Sequence, residues 1–166
     1  MDETAWEERI SAAWESFDQV SEADFLALIE KLAAELPPDS GIGFFERASS
    51  LDATDHPDVA VPLYRQALEH GLEGGRRRRA IIQMASSLRN IGRPEESVAL
   101  LTAEIDAGSD ELDGAVLAFL ALALADTGRE REGISAALAA LAPHLPRYQR
   151  SVATYARLLV EPETDS

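Results

Sequence analysis

Apolar positions recur along this chain every three or four residues, the spacing of helices with one buried face. Trp6, Ile10, Ala13, Trp14 and Phe17 share such a face and predict a first helix over 4–18. Phe25, Leu28, Ile29, Leu32, Ala33 and Leu36 form the stripe of a second. Ser21 opens that helix, with Asp24 three residues on as a capping box, and Pro37-Pro38 stops it. Beyond the short junction 37–43 the pattern repeats. Phe44, Ala48 and Leu51 recur 37 residues later as Ile81, Ala85 and Leu88, and 36 residues after that as Leu117, Ala121 and Leu124. The following helices keep register: Ala60, Tyr64 and Leu68 become Ser97, Leu101 and Ile105, then Gly133, Ala137 and Leu141. The turns between them correspond as Asp55, Gly92 and Gly128. A period of this size, built from helix pairs, is the signature of an α-solenoid.

The small residues have a physical reason. Ala48, Ala85 and Ala121 fall where the two helices of a pair cross, and Ala60, Ser97 and Gly133 face them; close approach requires short side chains at both points. Gly92 and Gly128 suit left-handed caps. Pro57 and Pro94 suit first helical turns, whereas Pro62 predicts a kink. Pro143 and Pro146 bracket a break before a last helix over 147–160. That helix has Tyr148, Val152, Tyr155 and Leu159 on one face and Arg147, Arg150 and Arg157 on the other, as expected of a polar-backed cap on a solenoid. The tail EPETDS is expected to fray.

These residues resemble the tetratricopeptide-repeat family, with its period of about 34 residues, its large–small–large first helix and its small–aromatic second helix. Ala67 and Ala140 match the family's late alanine, and Glu104 replaces it in the middle unit. The likeness covers residues 41–147. The run RRRRAIIQMASSLRNIGR, with AVPLYRQALEHGL before it and FLALALADTGRE after it, is similar to a narrower group of small bacterial members. The chain departs from the family in lacking the closing proline of each unit, in placing Arg47 where leucine is preferred, and in its longer period. The resemblance implies an all-α, right-handed solenoid of about nine helices in one structural domain. A helix pair (1–40) would pack on three repeats (about 41–75, 76–111 and 112–146), followed by a capping helix and tail (147–166). It further implies a protein-interaction module, not an enzyme, whose first helices line a concave groove. Phe45, Ser49, Arg79, Ile82, Gln83, Ser86, Arg89, Asn90 and Asp126 would face that groove, with Ala118 and Leu122 beside them.

Charge sharpens this picture. The net charge of −15 disfavours nucleic acid and anionic membrane as partners. Residues 1–40 hold 11 acids against Arg9 and Lys31, a net −9, whereas residues 76–93 hold six arginines and no acid. Arg76 to Arg79 open a helix, where positive charge opposes the dipole, so helix energetics do not account for them. Three readings stay open. They pair internally with acids such as Glu46, Asp52, Asp110 or Asp113, or Arg79 and Arg89 grip a partner's carboxylate or acidic segment, or the cluster takes an isolated anion such as a phosphate group. The family's lysine–asparagine carboxylate clamp is not reproduced. Self-association is the alternative function, with the helix carrying Trp6 and Trp14 as its face, because tryptophan is enriched at interface hot spots.

No other chemistry competes. The chain has no cysteine, which excludes disulfides and thiolate sites and suits the cytoplasm. The acidic start is no signal peptide, and no apolar run reaches the length of a membrane span. His56, His70 and His144 lack ligand spacing, so neither metal nor cofactor is expected. Gly41-x-Gly43 has no preceding strand and no third glycine, so it is not a nucleotide loop. Glu95-Glu96 suit a solvated first turn.

Overall fold

The computed structural model describes residues 2–161, and these are all-helical, with nine α-helices among them. The expected frayed tail lies, after Glu161, outside the described residues. The chain forms two compact units, residues 1–83 and 84–166.

The first unit begins with α1 (Glu3–Glu15), a 3₁₀ turn (Phe17–Gln19) and α2 (Glu22–Ala33). The first helix therefore stops three residues short of its predicted end. Ser21 caps α2, accepting from the Asp24 N–H at 3.2 Å. Trp6, Ile10, Ala13, Phe25, Ile29 and Leu32 form a buried cluster, with Trp14, Phe17, Leu36 and Ile42 packed against it. Phe25 meets Phe17 and Trp14 edge to face, at 4.8 and 5.1 Å between ring centres. Trp6 is 1% exposed and donates its indole N–H to the Leu32 carbonyl at 2.9 Å. The face expected to offer Trp6 to a second copy is thus the face that closes this core, and only Trp14 keeps partial exposure.

Next come α3 (Gly41–Ala53) and α4 (Pro57–Glu69). Ala48 and Ala60, the predicted crossing residues, are both fully buried. Gly41 permits another close approach: a Cβ there would lie 2.8 Å from the Ala67 carbonyl oxygen. That packing is what its glycine serves. Arg47, the departure from the family pattern, reaches α2 and pairs with Glu30 at 2.7 and 3.0 Å. Helix α4 runs through Pro62 without a break. Pro62 is exposed, so water reaches the carbonyl that its missing N–H leaves open.

Helix α5 (Gly74–Asn90) contributes its first turns to this unit and its last to the second. The second unit continues with α6 (Pro94–Ala107), α7 (Asp113–Asp126), α8 (Glu130–Leu141), a 3₁₀ turn (Ala142–His144) and α9 (Gln149–Leu158). Helix α7 packs on both α6 and α8, and α9 packs on α8. Gly133 meets α7 so closely that a Cβ would stand 2.9 Å from the Ala121 carbonyl oxygen.

The turn inside each helix pair is the same object three times. Asp55, Gly92 and Gly128 have φ of 66, 77 and 74°. The next amide, of His56, Arg93 and Arg129, donates back to Leu51, Leu88 and Leu124 at 2.8, 2.9 and 2.9 Å. This is the Schellman closure, in which a left-handed residue turns the chain and satisfies a helix-end carbonyl.

The last helix departs from expectation. Tyr148 and Tyr155, assigned to its buried face, are 75% and 65% exposed, while Ala156 is 1% exposed. Tyr148 precedes the helix with φ of 68°, which rotates the inward stripe to Val152, Ala156 and Leu159.

Candidate functional site

The arginine segment divides by environment. In the first unit, Arg76 is a structural tie. Its guanidinium donates to Glu7 at 2.9 and 2.6 Å and to Glu46 at 3.1 Å. It also lies 6.0 Å from the centre of the Trp6 ring. Glu46 is buried and accepts a second bond from the Trp14 indole at 2.9 Å. The Glu7 hydrogen bonds, and after them the charge of Glu46, raise the Arg76 pKa above its ordinary value against the opposing effect of burial. One buried carboxylate thereby joins α1, α3 and α5. Of the three readings of the cluster, internal pairing holds for Arg76. Arg78 is buried.

Arg79 is different. It is exposed, and its guanidinium lies over the Phe45 ring, 5.3 Å from the centre. Beneath it, the Ser49 hydroxyl donates to the Gln83 side-chain oxygen at 3.4 Å. Phe45, Ser49 and Ile82 were expected to touch a ligand, yet they are 0, 1 and 6% exposed. They are the floor under the polar residues of α5, not its surface. Tyr64, also buried, donates to Asp52 at 3.4 Å. Burial, and then the charge of Asp52, push its phenol far above the ordinary tyrosine value.

In the second unit, Arg89 Nε lies 2.5 Å from Asp126 Oδ2, and Arg89 Nη1 lies 3.4 Å from Asn90 Oδ1. Ser86 is half-buried and Asn90 exposed. Farther along, the surface turns apolar. Leu122 is 47% exposed, and with Ala118 it lines a cleft between α7 and α8.

Two of the histidines make plain structural contacts. His56 bonds Glu22 at 2.9 Å, and His70 packs against the Phe44 ring, 5.2 Å between centres. Among the described residues no group of three or more His, Asp or Glu is placed to hold a metal ion. No described helix is long and apolar enough to cross a membrane.

A family model described as Tetratrico peptide repeat matches residues 41–159, from the first turn of α3 to the C-cap of α9. The chain belongs to the tetratricopeptide-repeat family. A comparison with curated proteins finds no match. Tetratricopeptide repeats are scaffolds that bind protein partners. The matched span takes α9 into the array. Val152, Ala156 and Leu159 follow Leu117, Ala121 and Leu124 by 35 residues, so the large–small–large spacing of the first helices recurs in α9. The sequence hid this because the two tyrosines outweigh an alanine in any search for an apolar face. Glu7 as the partner of Arg76 had no local signal, being 69 residues away.

Proposed function

We propose that this tetratricopeptide-repeat chain is a non-catalytic adaptor that holds a peptide or helix of a partner protein, and that it prefers an acidic segment. Its polar contacts are Arg79 and Gln83 in the first unit and Ser86, Arg89 and Asn90 in the second. The observation that carries this reading is Arg79, an exposed guanidinium resting on a buried aromatic ring. A cation held in that way is oriented before a ligand arrives and loses little rotamer freedom on binding. Its planar fork suits a carboxylate. The chain carries strong negative charge elsewhere, so an acidic segment is repelled except at the arginine-rich stretch. The cysteine-free composition suits a reducing compartment such as the cytoplasm.

The test is fluorescence anisotropy with a panel of labelled Asp/Glu-rich peptides, carried out at low and high salt. Wild-type protein is expected to bind some of them, more weakly in salt. Arg79→Glu combined with Arg89→Glu is expected to weaken that binding more than tenfold. Unchanged binding in the double reversal sinks the proposal.

A further inference from the structure

Helix α7 contains eleven consecutive apolar residues, from Ala115 to Ala125. A helix that is apolar all round belongs in an interior, yet Leu122 stands 47% exposed. The repeat register shows what is missing. In α4, Ala60, Val61 and Tyr64 are 0, 2 and 0% exposed, and in α6, Ser97, Val98 and Leu101 are 1, 8 and 0% exposed. The corresponding residues of α8 are Gly133, Ile134 and Ala137. Ile134 is 53% exposed and Ala137 is also exposed. A face that is covered twice is open the third time.

Helix α9 would be its cover, but it sits one face away. The Ser135 hydroxyl donates to the Ala156 carbonyl at 2.7 Å, and Arg131 donates to that of Leu159 at 2.5 Å. The counterparts of Ser135, which are Ala99 in α6 and Pro62 in α4, face solvent. The displacement leaves a cleft of about 470 Å³ lined by Ala118, Leu122, Ala125, Gly133, Ile134 and Ala137.

We propose that this α7–α8 face is where two copies of the chain meet, each presenting the same face across a two-fold axis. The proposal is independent of the arginine reading. Two observations favour a second copy as the occupant. The face is self-complementary, since Leu122, Ile134 and Leu141 project while Ala118 and Ala137 leave hollows. Its lining is uncharged apart from Glu130. Two copies of this acidic chain therefore bring little charge together at this face. A basic partner would be steered instead to residues 1–40. An isologous contact of this kind closes on itself and yields a discrete pair.

The experiment is solution mass by light scattering, from about 1 to 100 μM protein, a range that spans ordinary dimer affinities, at low and high salt. Twice the chain mass of 18.0 kDa is expected, and it should persist in salt because the contact is apolar. Leu122→Asp and Ile134→Asp, at positions already in water in the single chain, are expected to raise the dimer Kd at least tenfold. Should either variant fold poorly, cross-linking replaces it. The chain has no cysteine, so Ala137→Cys is expected to give a disulfide dimer on oxidation, whereas Ala103→Cys on the solvent side of α6 is not. A monomer at every concentration overturns the proposal and leaves the cleft to a partner's helix. A dimer that survives both aspartate substitutions, or cross-links equally through Ala103→Cys, also overturns it.

Discussion

Arg89 near the end of α5 and Asp126 at the end of α7 stand 2.5 Å apart, Nε to Oδ2. Two residues expected to serve a ligand therefore serve each other first. Both are partly exposed, so the pair stabilises the fold by ~0–1 kcal/mol. A ligand carboxylate gripping the same guanidinium through two charged bonds is worth more, roughly 1.5–3 kcal/mol per bond. Asp126 is then a competitor. Asp126→Asn is expected to tighten acidic-peptide binding several-fold in anisotropy titrations, with stability changed by less than about 1 kcal/mol. Weaker binding in that variant would show that Asp126 assists the ligand.

Glu46 is expected to behave in the opposite way. Removing one member of a buried ion pair costs about 3–5 kcal/mol. Arg76 keeps Glu7, so Glu46→Gln should lie near the lower end of that range. Urea unfolding checks the magnitude, and Trp14 emission reports on the lost acceptor. A loss below about 1 kcal/mol would place Glu46 among ordinary exposed pairs.

The legible part of this molecule was its local chemistry. Gly92 and Gly128 announced left-handed caps, and Ala48, Ala60 and Gly133 announced close crossings, because each requirement sits in the residue itself. The face of α9 was misread because Tyr148 lies before the helix and shifts its register. The candidate site was legible as a stripe on α5, but depth was not. Periodicity places Phe45, Ser49 and Ile82 near Arg79 without telling floor from surface, since this depends on how neighbouring helices lie over them. The open cleft was invisible for the same reason: Ile134 and Val98 are equivalent in sequence and differ only in what covers them.

Two glycines separate backbone strain from steric conflict. Gly128 has φ of 74° and nothing within 4 Å of a built Cβ. Gly128→Ala should therefore lose about 1–2 kcal/mol through the left-handed backbone alone. Gly133 is helical, and alanine there would gain about 0.5–1 kcal/mol of helix propensity. The Ala121 carbonyl 2.9 Å away belongs to a packed backbone, and overpacking of about 1–3 kcal/mol should prevail. Thermal melts of Gly133→Ala check the sign, and a raised Tm would refute the close crossing.

Tyr64 predicts a limit at alkaline pH. Its folded-state pKa is raised, by burial first and then by Asp52. Below about pH 10, the ordinary tyrosine pKa, both folded and unfolded states hold the proton and stability is unaffected. Above it the unfolded chain releases the proton while the folded chain keeps it. Stability should then fall by about 1.4 kcal/mol per pH unit. Tyr64→Phe is expected to remove that component of the slope in denaturant titrations between about pH 9 and 11. An unchanged slope would mean the phenol ionises in place.

The tie between Glu46, Arg76 and Trp14 bears on how the chain tolerates a cut. Pro37, Pro38 and Asp39 form an exposed junction between α2 and α3. Across it run the Trp14–Glu46, Arg76–Glu7, Arg47–Glu30 and His56–Glu22 contacts. A protease that nicks this junction would sever a covalent link that the side chains duplicate. The two fragments should migrate as one particle under native conditions and part only in denaturant. The opening helix pair is thus a non-detachable half of its unit, and its two pieces, expressed separately, have the means to find each other again.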